Sequence, residues 1–139
     1  MGYGELLHKS EQRTISPAIC VYIDANGLHE LNNGRGHEAG DLMLRFVAES
    51  LMEQFPKGSL CRVGGDEFVV FPAPAEGQTC EDRMRSASAS ITAQGYSISY
   101  GIAAHESVVG LRELVREADE KMLESKRAYY AEHDRRVRK

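Results

Sequence analysis

At 139 residues, with 42% hydrophobic and 27% charged residues, the chain has the make-up of one globular domain, large enough to bury a core and unlike disordered or fibrous classes. Its net charge of −4 argues against a generic nucleic-acid or membrane surface, because those partners reward basic patches through phosphate neutralisation. No apolar run approaches the ~20 residues that span a bilayer, and MGYGELLHKSEQ at the N-terminus has no hydrophobic signal region, so the expected location is cytoplasmic.

Ser16-Pro17 precedes AICVYID, Ala18 to Asp24, a continuous apolar run ending at an acid, as suits a central strand covered on both faces. From Glu38 to Phe55 the apolar positions Met43, Val47 and Leu51, with Leu44, Phe46 and Ala48 beside them, follow helical spacing, and Pro56 and Gly58 end that helix. Two β-rich runs, Leu60–Val63 and Phe68–Phe71, flank Gly64-Gly65 and read as a hairpin. PAPAEGQT, with two prolines and a glycine, is expected to break regular structure. A helix from about Cys80 to Gln94 stops at Gly95, YSISYGIAA from Tyr96 to Ala104 alternates as a strand, and Leu111, Leu114, Val115, Ala118 and Met122 mark a last amphipathic helix to about Tyr130. DRRVRK at Asp134 to Lys139 reads as a solvated charged end within a tail over 131–139, the alternative being a phosphate-seeking segment. The three cysteines Cys20, Cys61 and Cys80 have no metal-ligand spacing and read as reduced packing residues.

This order implies a single α+β domain over 1–139: a ferredoxin-like or palm-type sandwich with a mixed central sheet and helices packed on one side. A hairpin turn has use for residues that reach positive φ, hence glycines, but none for two adjacent acids. The sheet order can set Asp24, at the end of the first strand, beside Asp66 and Glu67 at the turn. Gathering three carboxylates is costly without a cation, and hard oxygen ligands favour Mg²⁺, with Mn²⁺ as a substitute. Mg²⁺ keeps few protein ligands and commonly arrives with phosphates, so a nucleotide is the natural guest.

Gly64-Gly65-Asp66-Glu67-Phe68, together with Asp24 and NNGRGHEAGD from Asn32 to Asp41, resembles the GGDEF family of diguanylate cyclases, which condense two GTP into cyclic di-GMP. SYGIA at Ser99–Ala103 and ADEKMLESK at Ala118–Lys126 are similar to the family's later strand and final helix. The resemblance implies that Asp24, Ala25 through its carbonyl, Asp66 and Glu67 hold the metal. It also implies that Asn32, His37 and Asp41 hold GTP, with Asn32 and Asp41 on the guanine edge, and that Lys126 meets a phosphate. Gly64 and Gly65 would let the backbone approach the nucleotide. Asp66, or Glu67, would take the proton of the attacking 3′-hydroxyl. One domain holds one GTP, so activity implies a transient homodimer, and sensory or dimerising domains of a larger parent protein are the expected partners.

Taken singly, these residues have simpler readings: Asp24 as a helix cap, Asp41 as first-turn charge, Asn32-Asn33-Gly34 as turn chemistry and His37 as a space filler. The chain also departs from the family pattern. Residues 1–17 lack the usual opening segment, as in a divergent or truncated member. Asn26 stands for a second acid, Leu28 and His29 for phenylalanine and lysine, and Tyr129-Tyr130 for Gly-Arg. The product-inhibition motif R-x-x-D is replaced by Phe55-Pro56-Lys57-Gly58, so no feedback inhibition through that surface is expected. Two other readings are a catalytically weak or inactive GTP-binding regulatory module and a nucleotide-free interaction domain.

Overall fold

A computed structural model describes residues 2–77 and 79–137, with side chains placed to residue 134. The elements in chain order are α1 (Tyr3–Ser10), β1 (Thr14–Ile15), β2 (Ala18–Ala25), α2 (Leu28–Arg35), α3 (His37–Gln54), β3 (Ser59–Arg62), β4 (Glu67–Phe71), α4 (Pro74–Gly77), α5 (Cys80–Ala93), β5 (Ile98–His105), β6 (Val108–Val109) and α6 (Arg112–Val137). The four longer strands form one sheet in the order β3-β4-β2-β5. The α+β class and the ferredoxin-like strand order are as the sequence implies, but every neighbouring pair is antiparallel rather than mixed. Each helical crossover spans two strands that are not neighbours, which leaves only antiparallel contacts.

Helices cover both faces of the sheet, not one. Alternation along β2 divides the core: Val21, Ile23 and Ala25 pack with Met43, Val47 and Leu51 of α3 and Met84 and Ile91 of α5. Ala18 and Cys20 pack instead with Leu114, Val115 and Ala118 of α6 and Leu7 of α1. Both faces are therefore apolar, which is why AICVYID shows no polar alternation. Gly101 on β5 lets α6 lie close to the sheet, since a Cβ there would sit 2.4 Å from both the Ala118 carbonyl oxygen and the Met122 nitrogen.

Residues 1–17, unassigned by pattern, supply α1 and β1. Thr14 and Ile15 pair with Val109 and Val108 of β6, the Leu111 amide donates to Ser10 Oγ at 3.1 Å, and Arg112 pairs with Glu11 at 2.9 Å. The loop expected over PAPAEGQT instead contains the helical turn α4. Buried Glu76 organises it, accepting from the Ala73 amide at 3.0 Å and the Lys57 amide at 2.8 Å. The last helix continues past Tyr130 to Val137, so most of the expected tail is helical, and Arg138 and Lys139 lie outside the described residues. Cys20 and Cys80 are buried, Cys61 is half-buried and all three are free thiols. No helix among the described residues is long and apolar enough to cross a membrane.

Candidate active site

β2 delivers Asp24 to the face that α6 covers, because Asp24 shares the even-numbered side of the strand with Cys20 and Tyr22. Its side chain is 2% exposed, and Oδ2 accepts from Lys126 Nζ at 2.8 Å. Asp24 Oδ1 is also buried and has no hydrogen-bond partner. A buried, half-satisfied carboxylate is expensive and marks a place where a positive group belongs. Burial raises the Asp24 pKa, Lys126 opposes that rise, and nearby Asp66 adds to it. The same contact holds the Lys126 ammonium more firmly protonated than usual.

The hairpin turn lies alongside. Asp24 is in register with Glu67 on β4, and the Ala25 amide donates to the Asp66 carbonyl at 2.8 Å. Glu67 is raised first by burial and then by the charges of Asp24 and Asp66. Its Oε1 accepts from the Tyr22 hydroxyl at 3.4 Å. The turn closes by the Val63 amide donating to the Glu67 carbonyl at 3.0 Å. Neither Gly64 nor Gly65 has a positive φ, so the turn does not use glycine for that conformation. Arg62 secures it, donating from Nε to the Gly64 carbonyl at 3.2 Å and from Nη2 to the Gly65 carbonyl at 2.6 Å. The Gly64–Gly65 and Gly65–Asp66 peptides are trans, so with their carbonyls held by Arg62 the Gly65 and Asp66 N–H groups point away from it.

Asn32 on α2 sits against the start of α3. Its Oδ1 is buried without a partner, and a Cβ at Gly40 would lie 1.9 Å from it, so only glycine at 40 admits this side chain. Asp41, the next residue, is exposed in the early turns of α3, as is His37 at its start. The structure thus joins Asp24, Asp66, Glu67 and Lys126 at the ends of β2 and β4, and sets Asn32 beside Asp41's helix across the α2–α3 corner. His37 is exposed at the start of α3, and no hydrogen bond or ion pair among the described residues ties it to either group. Tyr22 and Arg62, which support the site, carry no signal in the sequence beyond their strand positions.

Among the described residues no three His, Cys, Asp or Glu side chains are gathered tightly enough to enclose a metal on their own. Lys126 already neutralises one oxygen of Asp24, and Glu67 is directed at Tyr22. The donor set nonetheless fits a hard divalent cation that brings oxygens of its own: an unpartnered buried carboxylate oxygen with a second carboxylate beside it.

The family profile described as "Diguanylate cyclase, GGDEF domain" matches residues 4–131, and the chain belongs to this family. The signalling protein YkoW of Bacillus subtilis is 34% identical over 64 residues, 45% of this chain and 8% of YkoW. Diguanylate cyclase TpbB of Pseudomonas aeruginosa is 40% identical over 55 residues, 39% of this chain and 13% of TpbB. The solved GGDEF domain of that Pseudomonas protein superposes with a TM-score of 0.73 at 29% identity, covering 89% of this chain and 78% of the domain. The chain spans only a small part of the curated relatives' length.

Proposed function

We propose that this domain condenses two GTP into cyclic di-GMP with release of pyrophosphate, as a homodimer in which each copy presents one GTP. The observation that carries the reading is the buried Asp24 with its unpartnered Oδ1 beside Asp66 on the Gly64-Gly65 turn. Asp24, the Ala25 carbonyl, Asp66 and Glu67 are the groups to hold Mg²⁺, or Mn²⁺ in its place. The ion, when bound, neutralises phosphate charge and favours in-line displacement at the α-phosphorus.

The chain's own residues position the reactants. Asn32 and Asp41 offer oxygens to the N1–H and N2–H donors of guanine, and His37 stands at the rim of that corner. The Gly65 and Asp66 amides, turned away from Arg62, donate to phosphate oxygens. Lys126 transfers its ammonium from Asp24 to a phosphate. Asp66 accepts the 3′-hydroxyl proton as the oxygen attacks the α-phosphorus of the partner copy's GTP and the bond to pyrophosphate breaks. Sensory or dimerising domains of a larger parent protein would bring the copies together, in keeping with the small share of its relatives that the chain spans.

The test is incubation with GTP and Mg²⁺ of the domain fused to a dimerising coiled coil, with nucleotides resolved by chromatography. Cyclic di-GMP and two pyrophosphates per product are expected, and Asp66→Asn should abolish both. GTP that raises the melting temperature of the fused form yet is never turned over would reduce the reading to a GTP-binding regulatory module.

A further inference from the structure

A cleft of about 700 Å³ lies between α2, the α5–β5 turn and the C-terminal half of α6. Asp24, Asp66, Glu67, Lys126, Asn32 and Asp41 do not line it, so it is a second concavity beside the candidate active site, next to it at the Asn26-Gly27 turn and at the α6 turn from Lys126 to Tyr130. Three elements enclose it. The α5–β5 turn contributes Tyr96, whose ring is held against Phe46 with centroids 6.1 Å apart. The C-terminal half of α6 contributes Tyr129, Tyr130 and His133, and α2 contributes Glu30 and Arg35.

The chemistry of these walls is specific. Tyr129 stacks on His133 at 6.0 Å with planes 12° apart, and Tyr130 meets Tyr129 edge-on at 5.1 Å, which makes a nearly continuous aromatic side. α2 adds one carboxylate and one guanidinium, with Glu30 within charge range of Tyr129, and Arg35 is in none of the ion pairs among the described residues. Asn26 at the floor is committed to the fold: its Nδ2 donates to Ser97 Oγ at 3.0 Å and its Oδ1 accepts from Ser99 Oγ at 2.9 Å. Asn26 therefore shapes the cleft rather than serving a guest. The tyrosine pair and Asn26 are also positions where the sequence departs from the family pattern. A packing gap would need neither an aromatic side nor an unpaired arginine.

We infer that this cleft binds a purine nucleoside monophosphate, its base against the Tyr96, Tyr129 and Tyr130 rings, its N–H donors on Glu30 and its phosphate on Arg35. Aromatic rings with a few convergent polar groups are the usual make-up of a small-molecule site, and the volume is in the range of such sites. Stacking on tyrosine accepts any base, while Glu30 selects bases that carry N–H donors. Among the described residues a single arginine lines the cleft, which suits one phosphate rather than three. The inference stands apart from the proposed GTP chemistry and fails or survives independently of it.

The test uses AMP without divalent metal, which keeps guanine-reading and magnesium out of the result. The chain has no tryptophan and six tyrosines, so its fluorescence reports directly on tyrosines, three of which line the cleft. AMP should quench it saturably and shift the backbone NMR signals of Gly34, Gly95 and Ser97. Tyr130→Ala and the surface change Arg35→Gln should each weaken binding by about tenfold. Signal shifts centred on Asn32 and Asp41, undiminished binding in both variants, or no response to millimolar AMP would each overturn the inference.

Discussion

The Lys126–Asp24 pair sets the residue-scale energetics. Lys126 holds one oxygen of Asp24 by a charge-assisted hydrogen bond, and a cation entering at the unpartnered Oδ1 meets that positive charge, so Lys126 competes with the metal until a phosphate draws it away. Lys126→Met should therefore tighten Mn²⁺ binding without nucleotide by about tenfold, roughly the value of one such bond, as read by paramagnetic titration. The same change should weaken GTP binding, and loss of both affinities would contradict this account. The carboxylates give a pH dependence of definite sign. Asp24 and Glu67 have folded pKa values raised chiefly by burial, so the metal-free folded state binds more protons than the unfolded chain. Their stabilising contribution is complete below the ordinary carboxylate values and is lost as pH rises through the raised ones. Denaturation midpoints of wild type and Glu67→Gln, compared between about pH 4 and pH 7, should show the variant gaining on wild type as pH increases. Saturating Mg²⁺ and GTP should reverse the order.

At the scale of elements, α4 rests on one side chain. Glu76→Ala leaves the Ala73 and Lys57 amides without their acceptor and should cost about 1–3 kcal/mol in chemical denaturation. PAPAEGQT offered no periodic signal for this turn, because its stability comes from a buried carboxylate reaching back to residue 57. α2 was equally hidden. LHELNNGR buries no residue, so it has no apolar stripe, and it is held by packing on α3 and by the Gly36 amide donating to the Asn32 carbonyl. β2, α3, α5, β5 and the hairpin were legible because burial imprints a period on them. The end of α6 was not, since beyond Tyr130 its placed side chains are exposed and leave no mark of the helix. Within the site, Asp24, Asp66, Glu67 and Lys126 could be found through the paired motifs, whereas Tyr22 looked like any strand tyrosine and Arg62 like an edge-strand charge.

At the scale of the whole molecule, two copies must meet for the proposed reaction, so the initial rate per domain should rise with protein concentration for the free domain and become independent of it once a coiled coil is fused on. Added cyclic di-GMP should leave the rate of the fused form unchanged through the Phe55–Gly58 surface, where Phe55 is a 1% exposed core residue with no charge to grip a phosphate. The clasp of α1 and β1 onto β6 and the start of α6 adds a geometric demand. It sits at the Ala18 end of β2, where Ala18 pairs with His105, while Asp24 lies six residues along the strand, about 20 Å away. From that clasp α1 runs back toward the site, since Tyr3 at its start lies within charge range of Tyr22, the hydrogen-bond partner of Glu67. Two domains tethered through the start of α1 are therefore held beside their catalytic ends, and swivel in the connection decides how often those ends face each other.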